Sequence, residues 1–271
     1  MMLRLLPLVR PVIAAFVGVV LIYLVLPTFV VLPLSFSAQE YLSFPPQGFS
    51  IKWYQRLAAN PTWLDATLNS LMIGIPTALL SMVLGTLGAL AVVRGSLVRA
   101  SLLSALLVAP MMLPHVILAI GLYPVMLELG LLRSHSAAIL AHTVIGIPLV
   151  FLTVTASLRS YSGSLERAAM TLGANLWQTF WKVTLPMILP GVMVGGILAF
   201  ASSFDELMLS LFMTGATTRT LPRLMWEQMS DFLTPVIAAA ASLVFAFSLV
   251  MLGMAALLQK RSSTAGGGAH G

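Results

Sequence analysis

Residues 166–191 read ERAAMTLGANLWQTFWKVTLPMILPG, a long segment that is polar enough to leave a membrane and regular enough to fold. Ser164, just before it, is a predicted N-cap, and the carboxylate of Glu166 suits the positive end of a helix in the first turn. Four apolar residues recur at the helical spacing i, i+3, i+4, i+7, namely Leu165, Ala168, Ala169 and Leu172. The pattern predicts a short amphipathic helix.

A second short helix is predicted directly after the first. Gly173 is able to adopt the left-handed conformation that ends a helix, and Asn175 is a suitable N-cap for the next one. A second apolar stripe follows, formed by Leu176, Phe180 and Val183, and Pro186 is expected to end it. The segment is therefore predicted to be a compact helix-turn-helix between two membrane spans. Its few basic residues and its attachment to the bilayer at both ends argue against binding of nucleic acid.

The composition places the whole chain in a membrane. Hydrophobic residues make up 59% of the sequence, charged residues make up 8%, and the mean hydropathy is +1.01. Such values lie far outside the range of soluble globular domains and are typical of polytopic membrane proteins. The sequence has no cysteine, which excludes disulfide bonds, thiolate catalysis and metal sites built on cysteine.

Six apolar stretches are long enough to cross the hydrocarbon layer, which is about 30 Å thick, as helices. They are 11–34, 66–93, 101–127, 136–157, 187–213 and 235–258, and the helix of the fifth is expected to end near Phe204. The third stretch holds Pro110, Pro114 and Pro124 and is predicted to be kinked or broken. We predict an all-α polytopic membrane protein with a single transmembrane domain over residues 1–261 and a flexible, Gly-rich tail over residues 262–271.

Smaller features refine this arrangement. The first stretch follows basic residues, as a signal peptide would, but it is longer than the apolar core of a signal peptide, so we interpret it as an uncleaved anchor. The polar segment 35–63 is expected to form an outer loop with a short surface helix. Gly191 and Gly195 are spaced to allow close packing of the fifth helix against a neighbour.

The distribution of basic residues predicts the orientation. Nine Lys and Arg residues lie on the side of both termini and of the 158–186 loop, namely Arg4, Arg10, Arg94, Arg99, Arg159, Arg167, Lys182, Lys260 and Arg261. The five on the other side are Lys52, Arg56, Arg133, Arg219 and Arg223. Because basic residues concentrate on the cytoplasmic side, both termini and this loop are predicted to be cytoplasmic. Seven of the eight acidic residues fall on the opposite side, which mildly favours a cationic solute or a basic partner there.

The sequence offers no motif for catalysis. A phosphate-binding loop requires Gly-Lys-Ser/Thr, but Lys52, Lys182 and Lys260 follow Ile, Trp and Gln. The four histidines are scattered over separate segments, so neither a metal site nor a cofactor is predicted. If ATP drives the protein, ATP must therefore bind to another polypeptide.

Ionisable residues within or beside the spans are the candidate pathway residues. Asp205 and Glu206 directly follow the fifth span, where they form either an anionic rim on a cation pathway or a solvated helix end. His115 and His142 lie inside apolar stretches and have no carboxylate near them in sequence. We favour neutral imidazoles hydrogen-bonded between helices, with a functional role as the alternative.

The 166–191 segment resembles the EAA loop of the permease subunits of ABC importers. In that pattern, Glu-Ala-Ala is followed at fixed distances by Gly and by an aliphatic residue before Leu-Pro. The matching residues are Ala168, Ala169, Gly173, Val183, Leu185 and Pro186. Arg167 occupies the position of the family's Glu, and the carboxylate of Glu166 lies one residue earlier. The resemblance implies a cytoplasmic loop that docks into a groove of an ATP-binding subunit, with Leu172 on the apolar side.

Two further stretches resemble permeases of the spermidine/putrescine importer family. They are LAHTVIGIPLVF, residues 140–151, and the segment from Ser203 to Met229 that begins SFDELMLSLFMTG. The resemblance covers nearly all of residues 65–258 and implies a fold of the type I importer kind. It is less specific for the solute, because importers of opines, other amines and some organic anions are also similar.

The implied function is that of a permease subunit in a bacterial inner membrane. Its expected partners are a second permease, two ATP-binding subunits, an extracytoplasmic solute-binding protein and membrane lipid. The solute is expected to be a polyamine, with another importer solute as the alternative. A channel or secondary transporter that works without ATP is a further alternative, but the sequence shows neither an inverted repeat nor a series of buried carboxylates.

Overall fold

The computed structural model of the chain describes residues 6–95, 99–231 and 234–267, and within these ranges the regular elements are helices. They are α1 (Leu6–Ser35), α2 (Lys52–Ala59), α3 (Pro61–Val93), α4 (Ala100–Val108), α5 (His115–Glu128), α6 (His135–Ser160), α7 (Ser164–Thr171), α8 (Leu176–Thr179), α9 (Leu185–Phe204), α10 (Met208–Met213), α11 (Leu221–Asp231) and α12 (Pro235–Gly267). Among the described residues, five helices are long and apolar enough to cross a bilayer, and a bent pair adds a sixth candidate. The predicted all-α polytopic fold is confirmed.

The chain divides into two compact units, and the smaller comprises Met1–Pro61 and Glu227–Phe245. In it, the segment after α1 is anchored by Trp53 of α2, whose buried indole Nε1 donates to the carbonyl of Ser37 at 2.6 Å. Glu40 accepts hydrogen bonds from Arg56 and Lys52, each with a shortest distance of 3.0 Å. These two cations lower the pKa of Glu40 below its ordinary value. The short surface helix predicted in this loop is α2.

The larger unit, Thr62–Trp226 and Ala246–Gly271, is built on the pairing of α6 with α9. Small residues allow the two backbones to approach closely, because a Cβ added at Gly195 would lie 2.7 Å from the Cα of Val150. The buried core between the helices includes Val154, Leu158 and Ile188. The predicted close-packing role of Gly191 and Gly195 is therefore confirmed.

The third predicted span is broken in the structure. A 3₁₀ turn, Ala109–Met112, follows α4, and the direction changes by 107° before α5 begins at His115. Leu113 is extended, as a residue before proline tends to be, and Pro114 has no N–H with which to continue the preceding helix. The break therefore places His115 at the start of a new helix.

The fifth span begins earlier and ends earlier than the stretch 187–213. A π-turn, Phe180–Thr184, joins α8 to α9, so that one helical segment runs over Leu176–Phe204. Pro186 therefore does not end the helix, and that expectation was wrong. The N–H of Leu185 bonds to the carbonyl of Phe180, five residues back, and this wider turn brings Pro186 into the first turn of α9, where a missing N–H costs little. At the other end α9 stops at Phe204, and residues 208–213 form the separate helix α10.

The last helix extends further than predicted. α12 continues beyond residue 258 to Gly267, through part of the stretch expected to be a flexible tail. Residues 258–265 contain neither proline nor glycine, so no residue there interrupts helical hydrogen bonding. Residues 268–271 and Arg4 lie outside the described residues.

Candidate functional site

The 158–186 loop folds as two short helices that meet at a glycine turn. Gly173 has φ +91°, in the left-handed region, and it ends the segment that begins with α7. Asn175 caps α8, since its side-chain oxygen accepts from the N–H of Gln178 at 2.8 Å and Gln178 accepts from the N–H of Asn175 at 3.1 Å. The predicted turn and cap are thus present, and the returning bond from Gln178 completes a capping box.

Ser164 does not cap α7, contrary to the sequence prediction. It is the first residue of the helix, the N-cap position belongs to Gly163, and no side chain caps it there. The hydroxyl of Ser162 instead accepts from the N–H of Ser164 at 3.2 Å. Both Ser162 and Ser164 follow a helix end and precede the apolar pattern, so spacing alone does not distinguish them.

Glu166 points into the chain rather than away from it. Its Oε1 accepts from the hydroxyls of Tyr161 at 2.8 Å and Thr184 at 2.9 Å, and its Oε2 lies 2.9 Å from Nε of Arg94. The side chain of Glu166 is 13% exposed. A carboxylate with these partners joins α7 to the ends of α3, α6 and the π-turn.

Arg94 holds the other side of this ion pair. Its Nη2 donates to the carbonyl of Leu158 at 3.1 Å, and its guanidinium lies 4.9 Å from the ring centre of Tyr161. Burial, together with the hydrogen bond to Glu166, raises the pKa of the Tyr161 hydroxyl above its ordinary value. The hydroxyl therefore remains protonated at neutral pH and is able to donate to the carboxylate.

The remaining residues predicted to dock divide between exposed and covered positions. Arg167, Ala168, Leu172, Gly173 and Pro186 are exposed, while Ala169 and Leu185 are partly buried. Leu172 is 88% exposed, and beyond the turn Leu176 and Trp177 are 77% and 70% exposed. Beside Arg94 and Glu166 lies an open cavity of about 510 Å³, which Met170 and Phe180 also line. The loop thus presents an apolar outer surface over a polar attachment.

The two candidate pathway acids lie in different surroundings. Asp205 follows the last residue of α9 and is exposed, whereas Glu206 is 6% exposed. Oε1 of Glu206 accepts from the N–H of Leu209 at 3.0 Å, in the first turn of α10. Glu206 is therefore fixed to the start of α10, whereas Asp205 is exposed.

His115 is the partner of Glu206. Its Nδ1 lies 2.7 Å from Oε2 of Glu206, and its side chain is 42% exposed. The sequence prediction found no carboxylate close to His115 in sequence, because Glu206 lies far along the chain, in the link between α9 and α10. The signals that point to the pair are a histidine directly after Pro114 in a broken span and an acid directly after another span.

His142 lies fully buried beside this pair. Its Nδ1 is 2.8 Å from Oγ of Ser203, and its Nε2 is 3.4 Å from Oγ of Ser210. Ser210 in turn donates to the backbone carbonyl of Glu206 at 2.7 Å. The expectation that His142 is hydrogen-bonded between helices is confirmed, since these serines belong to α9 and α10.

The chain is similar to known proteins over most of its length. The profile described as "Binding-protein-dependent transport system inner membrane component" matches residues 81–264. The chain is 30% identical over 250 residues to the spermidine/putrescine transport system permease protein PotC of Haemophilus influenzae, over 92% of this chain and 96% of that protein. It is 32% identical to the putrescine transport system permease protein PotI of Escherichia coli K12, over 73% of each.

The solved structures show the same fold at lower sequence identity. A chain from a bacterial ABC transporter involved in the import of the acidic polysaccharide alginate aligns with a TM-score of 0.70 and 16% identity, over 94% of this chain and 96% of that chain. At this identity the likeness concerns the fold.

Proposed function

We propose, on the premise that the chain belongs to the family of binding-protein-dependent transport system inner membrane components, that its solute is a polyamine such as spermidine or putrescine. The chain is a membrane-spanning permease subunit of an ABC importer, and ATP hydrolysis is the task of a separate subunit. The resemblance drawn from the 166–191 segment is thereby confirmed at the level of the family. The charge of the pathway residues bears on which solute is transported.

The buried carboxylate of Glu206 is the observation that favours a cationic solute. A carboxylate that is 6% exposed at the end of a membrane span is costly, and such groups have partners, as Glu206 has in His115, and mark ion or solute pathways. Its exposed neighbour Asp205 adds a second negative charge at the same helix end. Two carboxylates at this level attract the ammonium groups of a linear amine and repel an anion.

Transport follows from alternating access. The 158–186 loop docks on an ATP-binding subunit, and the same loop of a second permease docks on another, so closure of the ATP-binding pair moves both loops. Glu166 transmits this motion, since it ties α7 to α3 through Arg94 and to the π-turn through Thr184. An extracytoplasmic binding protein delivers the amine, and both termini and the loop face the cytoplasm.

A different importer solute is the second candidate. A chain with this fold belongs to an importer of an acidic polysaccharide, so the fold itself does not select the charge of the solute. Opines, other amines and organic anions therefore remain alternatives that the pathway residues must distinguish. A channel or secondary transporter that works without ATP is a weaker alternative, because the family is defined by dependence on a binding protein.

The experiment compares two solutes of equal chain length and opposite charge. The complete importer is reconstituted in vesicles with ATP and its binding protein, and uptake of radiolabelled putrescine is compared with uptake of succinate. We expect putrescine uptake, reduced by about tenfold in Glu206→Gln, the loss that a missing charge-assisted contact of about 1.4 kcal/mol produces. Glu128→Gln is the matched control, because Glu128 is an exposed acid at the end of α5. Uptake of succinate without putrescine would refute the polyamine assignment.

A further inference from the structure

We propose that His115 is an internal partner that occupies Oε2 of Glu206 when no solute is bound, and that an ammonium group of the solute displaces it during transport. The inference rests on the proposed function, because it requires an amine to pass Glu206. It gives His115 a role in selecting and releasing the solute. The role follows from the geometry of the pair and from the position of His115 in α5.

The imidazole is the more exposed member of the pair. Nδ1 of His115 lies 2.7 Å from Oε2 of Glu206, and the histidine side chain is 42% exposed while the glutamate side chain is 6% exposed. A solute therefore meets the imidazole before it meets the carboxylate. Movement of the imidazole frees Oε2 of Glu206 for another partner.

The two oxygens of Glu206 have different partners, so an exchange at one leaves the other in place. Oε1 is bound by the N–H of Leu209, and Ser210 donates to the backbone carbonyl of Glu206. These contacts fix Glu206 to the start of α10 while His115 holds Oε2. The exchangeable contact is thus the one made by the partly exposed histidine.

The neighbouring ionisable groups are poorly placed to replace His115. His142 is fully buried and is held by Ser203 and Ser210 through its two ring nitrogens. Asp205 is exposed and carries the same charge as Glu206. A cation that binds Oε2 in place of His115 must therefore come from the solute.

The broken span gives His115 a route of movement. His115 is the first residue of α5, and it follows the Leu113–Pro114 break at which the chain bends by 107°. Rotation at such a break carries the first residue of α5 away from α10 without unfolding either helix. Displacement of the imidazole is thereby linked to a change in the angle between the two halves of the span.

Exchange of partners explains how a buried acid binds the solute without trapping it. Loss of its partner from a buried carboxylate is strongly unfavourable, but replacement of one hydrogen-bonded partner by another leaves the carboxylate paired throughout. The net affinity is therefore small, as transport requires, because a site that binds tightly releases slowly. An anionic solute has no group with which to displace the imidazole.

The test compares a permanent cation with a neutral donor at position 115. Arginine stays protonated and binds a carboxylate with two donors, so His115→Arg should resist displacement. His115→Gln keeps a hydrogen-bond donor but removes the possibility of charge. In the complete importer we expect His115→Arg to raise the KM for putrescine by about tenfold, the difference between a charged and a neutral hydrogen bond, and His115→Gln to lower it.

A purely structural pair predicts the opposite order. If His115 only stabilises Glu206, arginine preserves the ion pair and glutamine weakens it, so His115→Gln would then be the more damaging change. The matched controls are His135→Arg and His135→Gln, because His135 is also the first residue of a helix and hydrogen-bonds Asn69 at 2.7 Å. Neither should change the KM for putrescine.

The outcomes separate the two proposals. If the wild-type importer takes up putrescine but the KM of the arginine variant is equal to or lower than that of the glutamine variant, the displacement of His115 is refuted and the polyamine assignment stands. If the wild-type importer takes up no putrescine, both are refuted. The inference is supported if both variants take up putrescine and only the arginine variant has a raised KM.

Discussion

Glu166 and Arg94 form an ion pair, with 2.9 Å between Oε2 and Nε, that joins the 158–186 loop to the end of α3. Both side chains are largely covered, and both carry further hydrogen bonds, from Tyr161 and Thr184 to Glu166 and from Arg94 to the carbonyl of Leu158. A pair with several fixed partners in partial burial is more rigid than a surface salt bridge. The pair therefore sets the position of α7 against the membrane domain.

Removal of either partner should loosen the loop. We expect Glu166→Gln and Arg94→Gln each to destabilise the purified importer, with a coupling energy between them of about 1 to 3 kcal/mol in a double-mutant cycle. The measurement is thermal unfolding in detergent together with recovery of the ATP-binding subunit. Arg159→Gln is the control, since it removes an exposed cation in the last turn of α6. Additive effects of the two substitutions would show that the pair does not couple the loop to α3.

Two substitutions at Gly173 distinguish the effect of backbone strain from the effect on docking. A Cβ at this position meets no atom within 4 Å, so Gly173→Ala costs only the left-handed backbone conformation, about 1 kcal/mol. Gly173→Asp adds a charge on the surface that is proposed to dock. We expect transport to fall severalfold more in the aspartate variant than in the alanine variant, measured as uptake per ATP hydrolysed.

Gly130 provides the matched control for this substitution. It also has a positive φ, +66°, and a Cβ at this position would meet no atom within 4 Å, but it lies in the loop between α5 and α6. Gly130→Asp should therefore carry a similar backbone cost without uncoupling ATP hydrolysis from uptake. Equal uncoupling by Gly130→Asp and Gly173→Asp would contradict docking at Gly173.

The close approach of α6 and α9 predicts that a larger residue at their contact destabilises the protein. Gly195→Ala places a Cβ 2.7 Å from the Cα of Val150, a backbone atom that cannot move aside, so it should destabilise the protein by about 1 to 3 kcal/mol. Gly121→Ala is the control, because its Cβ meets nothing within 4 Å in the middle of α5. That change should be neutral or stabilising by up to about 1 kcal/mol. Thermal unfolding in detergent measures both, and equal stability of the two variants would refute the packing.

Hydropathy and local signals predicted most of the fold because they depend on neighbours in sequence. The apolar stretches became helices, the Pro110 to Pro114 segment broke the third one, and Asn175 capped α8. The helix through Pro186 could not be predicted, since a π-turn arises from packing of the backbone and leaves no pattern of residue types. Local sequence rules thus predict the helices better than they predict how consecutive helices are joined.

The sequence pointed to candidate residues but not to the contacts that they make. Asp205 and Glu206 were identified by their place after a span, yet their different burial depends on the start of α10. The partners of Glu166 and Glu206 come from other helices, Arg94 from the end of α3 and His115 from the start of α5. Such pairs follow from tertiary packing, which periodicity and spacing do not encode.

The outer surface of the loop gives the most direct test of docking. Leu172 and Trp177 lie on either side of the Gly173 turn and are 88% and 70% exposed, in a segment predicted to lie outside the bilayer. Exposed large apolar side chains close together are typical of a protein interface, and an aromatic residue is a frequent centre of binding energy. We expect Leu172→Glu and Trp177→Glu each to weaken capture of the ATP-binding subunit by at least about tenfold, as interface residues worth more than 1 kcal/mol do.

The matched control for these substitutions is Leu129→Glu. Leu129 is 60% exposed at the end of α5, in the loop predicted to face the opposite side of the membrane. Leu129→Glu introduces the same charge at an exposed leucine, but away from the loop, so it should leave capture of the ATP-binding subunit unchanged. The measurement is co-purification of that subunit from detergent-solubilised membranes at equal amounts of permease. A glutamate buried at a docking surface would lose its hydration without gaining a partner, so it should weaken docking. If the Leu172 and Trp177 variants retain the subunit as well as the Leu129 variant does, the ATP-binding subunit binds elsewhere.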